Sequence, residues 1–135
     1  MDLVDALHIS AAGMRVQGVR LRVISENLAN ADSLGTSSGS DPYRRKLVSF
    51  RNALDRSLGI ETVQVARVTT DKTPFETRFE PMNPAADASG YVKLPNVNPL
   101  IEMTDMREAE RSYEANLKAI EASRTMLQRT VDLLR

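Results

Sequence analysis

The sequence predicts a mainly α protein whose long N- and C-terminal helices pair as an antiparallel coiled coil, with a small, irregular, β-hairpin-containing segment between them. Three observations predict it. Met106, Tyr113, Ile120, Leu127 and Leu134 recur every seven residues through a stretch free of Gly and Pro, and a sustained repeat of that period asks for a partner helix. Leu7, Met14, Leu21 and Leu28 recur at the same interval near the start of the chain. Between these stretches, prolines, Gly/Ser-rich runs and short β-branched runs replace helical periodicity.

Composition narrows the function classes. A chain of 135 residues suits one domain, or a small domain with extended arms. Eighteen Lys and Arg balance eighteen Asp and Glu without a charge block, so neither nucleic acid nor an anionic membrane is a favoured partner. There is no Trp and only 4% aromatic residues, and the Leu, Val, Ile, Ala and Met content suits helix packing better than a sandwich or barrel. The lack of Cys excludes disulfides, thiolate metal sites and Cys nucleophiles. The start, MDLVDALHIS, lacks the basic and apolar regions of a secretory signal, and no stretch is long enough to span a bilayer. Composition alone therefore reads as cytosolic, without direct membrane insertion.

The first segment, 1–32, is an assembly helix. Leu7, Met14, Leu21 and Leu28, with Ile24 on their flank, form the seam offered to the C-terminal helix. A second stripe, Ile9, Val16 and Val23, falls about 200° around the helix. A helix apolar on two opposed faces needs to be surrounded. Two long helices are too few to surround it, so the spare faces favour self-assembly over the alternative, the central helix of a closed monomeric bundle.

Asn30-Ala31-Asp32-Ser33 stops the helix, and the middle segment, 33–100, begins with Leu34–Asp41 as a flexible loop. The basic cluster Arg44-Arg45-Lys46 beside Tyr43 reads as a solvated or salt-bridged surface. Leu47, Phe50, Leu54 and Leu58 fit a short amphipathic helix over 47–58, closed by Gly59. Residues 60–69 and 75–79 alternate around Asp71-Lys72-Thr73-Pro74 and read as a hairpin, with a further short strand at Tyr91–Leu94. The last segment, 101–135, is the second assembly helix. Leu117 and Val131 widen its seam, and the small or polar row Ala109, Asn116, Ser123 and Thr130 allows a close neighbour.

Nothing in the sequence carries catalysis. His8 is the single histidine, and no nucleophile elbow, phosphate loop, dinucleotide fingerprint or zinc-helix motif is present. Glu102, Asp105, Glu108, Glu110 and Glu114 crowd the start of the last helix, where acids complement the helix dipole on a solvated face. The expectation is a protein that is no enzyme, with no cofactor, no metal and no small-molecule substrate.

Ala11-Ala12-Gly13-Met14 leads to Ser25-Glu26-Asn27-Leu28-Ala29-Asn30. Pro95-Asn96-Val97-Asn98-Pro99 is followed by Glu102–Met106 and by Arg111-Ser112-Tyr113-Glu114-Ala115-Asn116. In this joint order the phrases resemble the terminal signatures of bacterial flagellar rod, hook and related axial proteins. Tyr43-Arg44-Arg45-Lys46, Asp87–Val92 and the short length narrow the resemblance to a subunit of the proximal rod. The resemblance implies a structural subunit of the flagellar basal body that self- and co-assembles through its terminal helices into a helical tube transmitting torque. It implies as partners other copies of itself, other rod proteins, the hook-basal-body and membrane-ring components, and the type III export apparatus in transit. It places the chain in the periplasmic rod, exported without a cleavable signal, against the cytosolic reading of composition. The competing reading of the residues is a soluble coiled-coil adaptor or chaperone that binds one partner reversibly.

Overall fold

The computed structural model describes residues Asp2–Arg135. Two helices, α1 (Leu3–Ala29) and α2 (Pro99–Leu133), flank four strands, β1 (Lys46–Asp55), β2 (Ile60–Thr70), β3 (Thr77–Phe79) and β4 (Tyr91–Lys93). The strands form two separate two-stranded sheets, β1 with β2 and β3 with β4.

Local chemistry sets the helix ends. Asp5 Oδ2 accepts the Asp2 amide at 3.0 Å, satisfying one of the donors exposed where α1 begins. At the other end the Asn30 side chain donates to the Glu26 carbonyl at 2.9 Å, and Ser33 Oγ donates to Asn30 Oδ1 at 3.0 Å, so the chain turns where the sequence reading stops the helix. Asn98 Oδ1 accepts the amides of Leu100 at 3.0 Å and Ile101 at 3.4 Å. Pro99 in the first helical position needs no amide partner. These two residues start α2 at Pro99, earlier than the expected boundary at 101.

The middle differs from expectation in two places. Residues 47–58 are not a helix: they lie in β1 and in the turn that joins it to β2. The spacing of Leu47, Phe50, Leu54 and Leu58 fits a helix, but β2, rich in β-branched residues, supplies an extended neighbour that pairs only with another strand. Thr62 Oγ1 donates to the Ala53 carbonyl at 3.3 Å and Ser49 Oγ to the Arg67 carbonyl at 3.3 Å, a descending register that makes the pair antiparallel. Gly59 closes a hairpin turn and not a helix, at φ +67°, where a side chain would be strained.

The second difference concerns strand partners. The segments 60–69 and 75–79 do not pair with each other. The Asp71 turn exists, with Thr73 N and Oγ1 donating to Asp71 Oδ1 at 2.9 and 2.6 Å. Beyond it, β3 pairs antiparallel with β4 in the register Thr77 to Lys93, Arg78 to Val92 and Phe79 to Tyr91.

The contacts group into two compact units. One comprises α1 through Leu21, residues Val48–Arg67 and α2 from Arg107. In it Gly13 faces Asn116, so closely that a Cβ would stand 2.8 Å from Asn116 Nδ2, and Arg20 pairs with Glu108 at 3.3 Å. As α1 advances, its contacts on α2 retreat, so the helices run antiparallel. Ala12, Val16 and Ala109 are buried here.

The other unit comprises Arg22–Leu47 and Val68–Met106. Ala85, Ala86 and Val92 form a small apolar core with Leu34 packed on it. The loop read as flexible is fastened to that core. Ser38 Oγ donates to the Ala86 carbonyl at 2.6 Å, the Gly39 amide to the Ala85 carbonyl at 3.2 Å, and Lys93 Nζ pairs with Asp41 at 2.9 Å.

Candidate functional site

The second unit holds a polar clasp that joins α1, the start of β1 and the start of α2. At its centre Asn27, 1% exposed, uses its whole hydrogen-bonding capacity. Its Oδ1 accepts the Tyr43 hydroxyl and the Lys46 amide, both at 2.9 Å. Its Nδ2 donates to the Lys46 carbonyl at 2.9 Å and to Glu102 Oε2 at 3.1 Å.

Glu102 is also 1% exposed, and its carboxylate is neutralised by Arg45 Nε at 2.5 Å from Oε1. Arg45 further reaches Asp105 at 3.5 Å and Asp71 at 3.6 Å. Burial works against the guanidinium charge, but the three carboxylates outweigh it and hold Arg45 above its ordinary value. Burial, followed by the Glu26 carboxylate, pushes the Tyr43 phenol up, so it stays a hydroxyl able to donate to Asn27. Lys46 pairs with Glu26.

Asn96 extends the clasp. Its Oδ1 accepts the Arg45 amide at 2.7 Å, and its Nδ2 donates to the carbonyls of Asp71 and Thr73, both at 3.1 Å. Arg44 donates to the Asp71 carbonyl at 3.1 Å and lies over the Phe75 ring at 4.1 Å from its centroid. The structure thus brings together Asn27, Tyr43, Arg44, Arg45, Lys46 and Asn96. Asn30 and Asn98 end and start the helices beside them, Asn116 lies against Gly13, and Ala29 is exposed.

The apolar residues divide differently from expectation. On α1 the most buried positions are Val16 and Val23 of the second stripe, with Ala12 and Ile24, while Ile9 is half-buried. Leu7, Met14, Leu21 and Leu28, expected to form the seam with α2, are only half-buried. The face of α2 turned to α1 is the small row containing Ala109 and Asn116, against which compact side chains fit closely. Met106, Tyr113, Ile120 and Leu127 are half-buried, whereas Leu117, Val131 and Leu134 are exposed, Leu134 at 84%.

Sequence reasoning misses Glu102 and Asp71. It sets Glu102 on a solvated face with its acidic neighbours, yet the side chain is fully buried. The available signal is its position seven residues before Ala109, which continues the small row. Among the described residues no group of three His, Cys, Asp or Glu is placed to hold a metal ion, and no helix is long and apolar enough to cross a membrane.

Terminal helices knit by a buried polar clasp, with apolar side chains left exposed, suit a structural protein. Residues 88–133 match the family described as flagellar basal body rod FlgEFG protein C-terminal. The flagellar basal-body rod protein FlgC of Agrobacterium fabrum is 52% identical over 130 residues, covering 96% of this chain and 94% of the relative. FlgC of Salmonella typhimurium is 40% identical over 135 residues, 98% of each chain, and FlgC of Aquifex aeolicus 39% over 132 residues, 98% and 97%. The chain belongs to the FlgC family of flagellar basal-body rod proteins, and is a structural subunit of that rod.

Proposed function

We propose that the chain builds the proximal part of the rod by packing its spare apolar faces against other subunits. The observation that carries this is the exposed row of Leu117 and Val131 on α2 and Leu134 just past its end, joined by exposed Leu100, Ile101, Met103 and Met126. Exposed apolar rows of this length on unbroken helices favour burial against another helix. The half-buried Leu7, Met14, Leu21 and Leu28 supply the matching surface on α1, so the terminal helices act as a coiled-coil element shared between subunits. The segments 1–32 and 101–135 serve as assembly arms, with 33–100 set between them.

Contacts that do not close on themselves generate a helical tube. Close-packed apolar interfaces repeated over many subunits resist sliding, which is how the tube transmits torque. The partners are copies of this chain, other rod proteins and the adjoining ring and hook-basal-body components, reached in the periplasm by way of the flagellar export apparatus. The chain works without catalysis, nucleic acid or small-molecule substrate.

The test replaces Val131 by Asp, an exposed position whose change leaves the fold intact. The expected result is a non-motile strain in which the chain is made and exported but basal bodies lack a complete rod. Normal motility and rods in that strain would refute the reading, and a discrete, reversible complex with one partner would favour an adaptor.

A further inference from the structure

On the face of α2 that meets α1 the small or polar residues Ala109, Asn116 and Ser123 follow Glu102 at seven-residue intervals. The native register sets Gly13 against Asn116, Arg20 against Glu108 and Asn27 against Glu102. Sliding α2 by one heptad would set Gly13 against Ser123 and Asn27 against Ala109. Sliding it the other way would set Gly13 against Ala109, Arg20 against Ile101 and Asn27 against Pro95, which precedes α2. Neither slip brings a bulky side chain onto Gly13, and the apolar rows of both helices, spaced by the same seven residues, stay in phase. Apolar packing therefore leaves the native register and the first slip close in energy, while the second slip loses the overlap at the end of α1.

The polar clasp is the feature that does not repeat. In the first slip Asn27 Nδ2 faces a methyl group and Arg45 loses Glu102. In the second, Glu102 leaves both Asn27 and Arg45. Each leaves buried polar groups unmatched. The clasp reads each helix separately. Asn27 is bound on both sides by the Lys46 backbone, which fixes α1, and Glu102 is bound by Asn27 and Arg45, which fixes α2.

We propose that Asn27, Arg45 and Glu102 are the register key of the helix pair, positioning residues that select one of the packings the heptads alone allow. The key sets which exposed apolar residues of α1 and α2 stand side by side, and with them the surface offered to neighbours. It operates within one chain, independently of the assembly reading.

Because the chain has no cysteine, introduced pairs report register without background. The full-length purified chain carries Gly13→Cys with Asn116→Cys for the native register, or with Ala109→Cys or Ser123→Cys for the slipped ones. Mild oxidation and mass spectrometry give the rate of each intrachain disulfide. In the otherwise unaltered chain the native pair is expected to form faster by about a hundredfold or more, the ratio that matches breaking a buried pair. In Arg45→Met/Glu102→Leu, with helical circular dichroism retained, that excess is expected to fall within about tenfold.

Moving the acid one heptad on, as Glu102→Leu/Ala109→Glu, is expected to make the disulfide of the Gly13→Cys/Ser123→Cys pair dominant. An undiminished native preference in these variants would overturn the proposal. So would loss of the helical signal in the double variant, which would make the clasp a general stabiliser, or absence of any native preference in the unaltered chain.

Discussion

Glu102 stands one turn into α2 with its carboxylate out of solvent, held by Arg45 and Asn27. Removing a partner from such a pair costs more than the pair contributes, because the remaining charge stays buried. Arg45→Ala should therefore lower stability by about 3 kcal/mol, read as the shift in urea midpoint multiplied by the denaturant slope. Asp71 predicts the acid response. Hydrogen bonds from the Thr73 hydroxyl and amide, assisted by Arg45, hold its carboxyl below the ordinary value, and Asp41 and Glu80 are lowered by Lys93 and by Asn83 respectively. A depressed carboxylate adds stability everywhere above its unfolded value and loses it as pH falls through the folded one. Stability should stay level down to about pH 4 and fall below it. Asp71→Asn should shrink that fall, as measured by urea titrations across the acid range. Asn27, Tyr43 and Arg45 are legible in the sequence through their phrases. Glu102 is not, because an acid in the first turn of a helix already has an explanation in the dipole, and burial comes from partners far away in the chain.

The two helices are the most legible elements, since a seven-residue repeat over this length has no other explanation. The strand segment 46–55 is the least. Its apolar spacing satisfies both periods, and the choice lies with β2, whose long β-branched run needs a ladder partner. The β3–β4 pair is half legible. The sequence shows the strand at 91–93, but its pattern sends 75–79 to β2 across the Asp71 turn. Gly90 explains the true pairing. At φ +81° it closes the turn so tightly that a Cβ would lie 2.9 Å from the Phe79 ring, which stacks edge-on against Tyr91 at 5.3 Å. At the start of α2, Asn98 satisfies two amides that water would otherwise have to reach. Asn98→Ala should cost about 1 kcal/mol, and hydrogen exchange should show it as faster exchange confined to the first turn of α2.

At the scale of the whole molecule the exposed apolar rows carry the proposed contacts with neighbours. Met82 at 95%, Leu133 at 87%, Leu134 at 84% and Leu100 at 74% exposure are large apolar side chains left in water by the single chain. The formal net charge is zero, so no long-range repulsion keeps copies apart. Association should therefore be apolar in origin, and salt separates that from an ionic mechanism. Raising ionic strength from about 0.1 M to 1 M shortens the screening length from about 10 Å to 3 Å, which weakens contacts between exposed charges and leaves apolar burial intact. Sedimentation of the purified chain should show concentration-dependent association that persists or strengthens in high salt. Leu117→Asp/Val131→Asp/Leu134→Asp should hold the chain monomeric under the same conditions, with unchanged helical circular dichroism. An association dissolved by salt but indifferent to these three substitutions would place the contact on the ion pairs of the chain and remove the apolar row of α2 from the assembly surface.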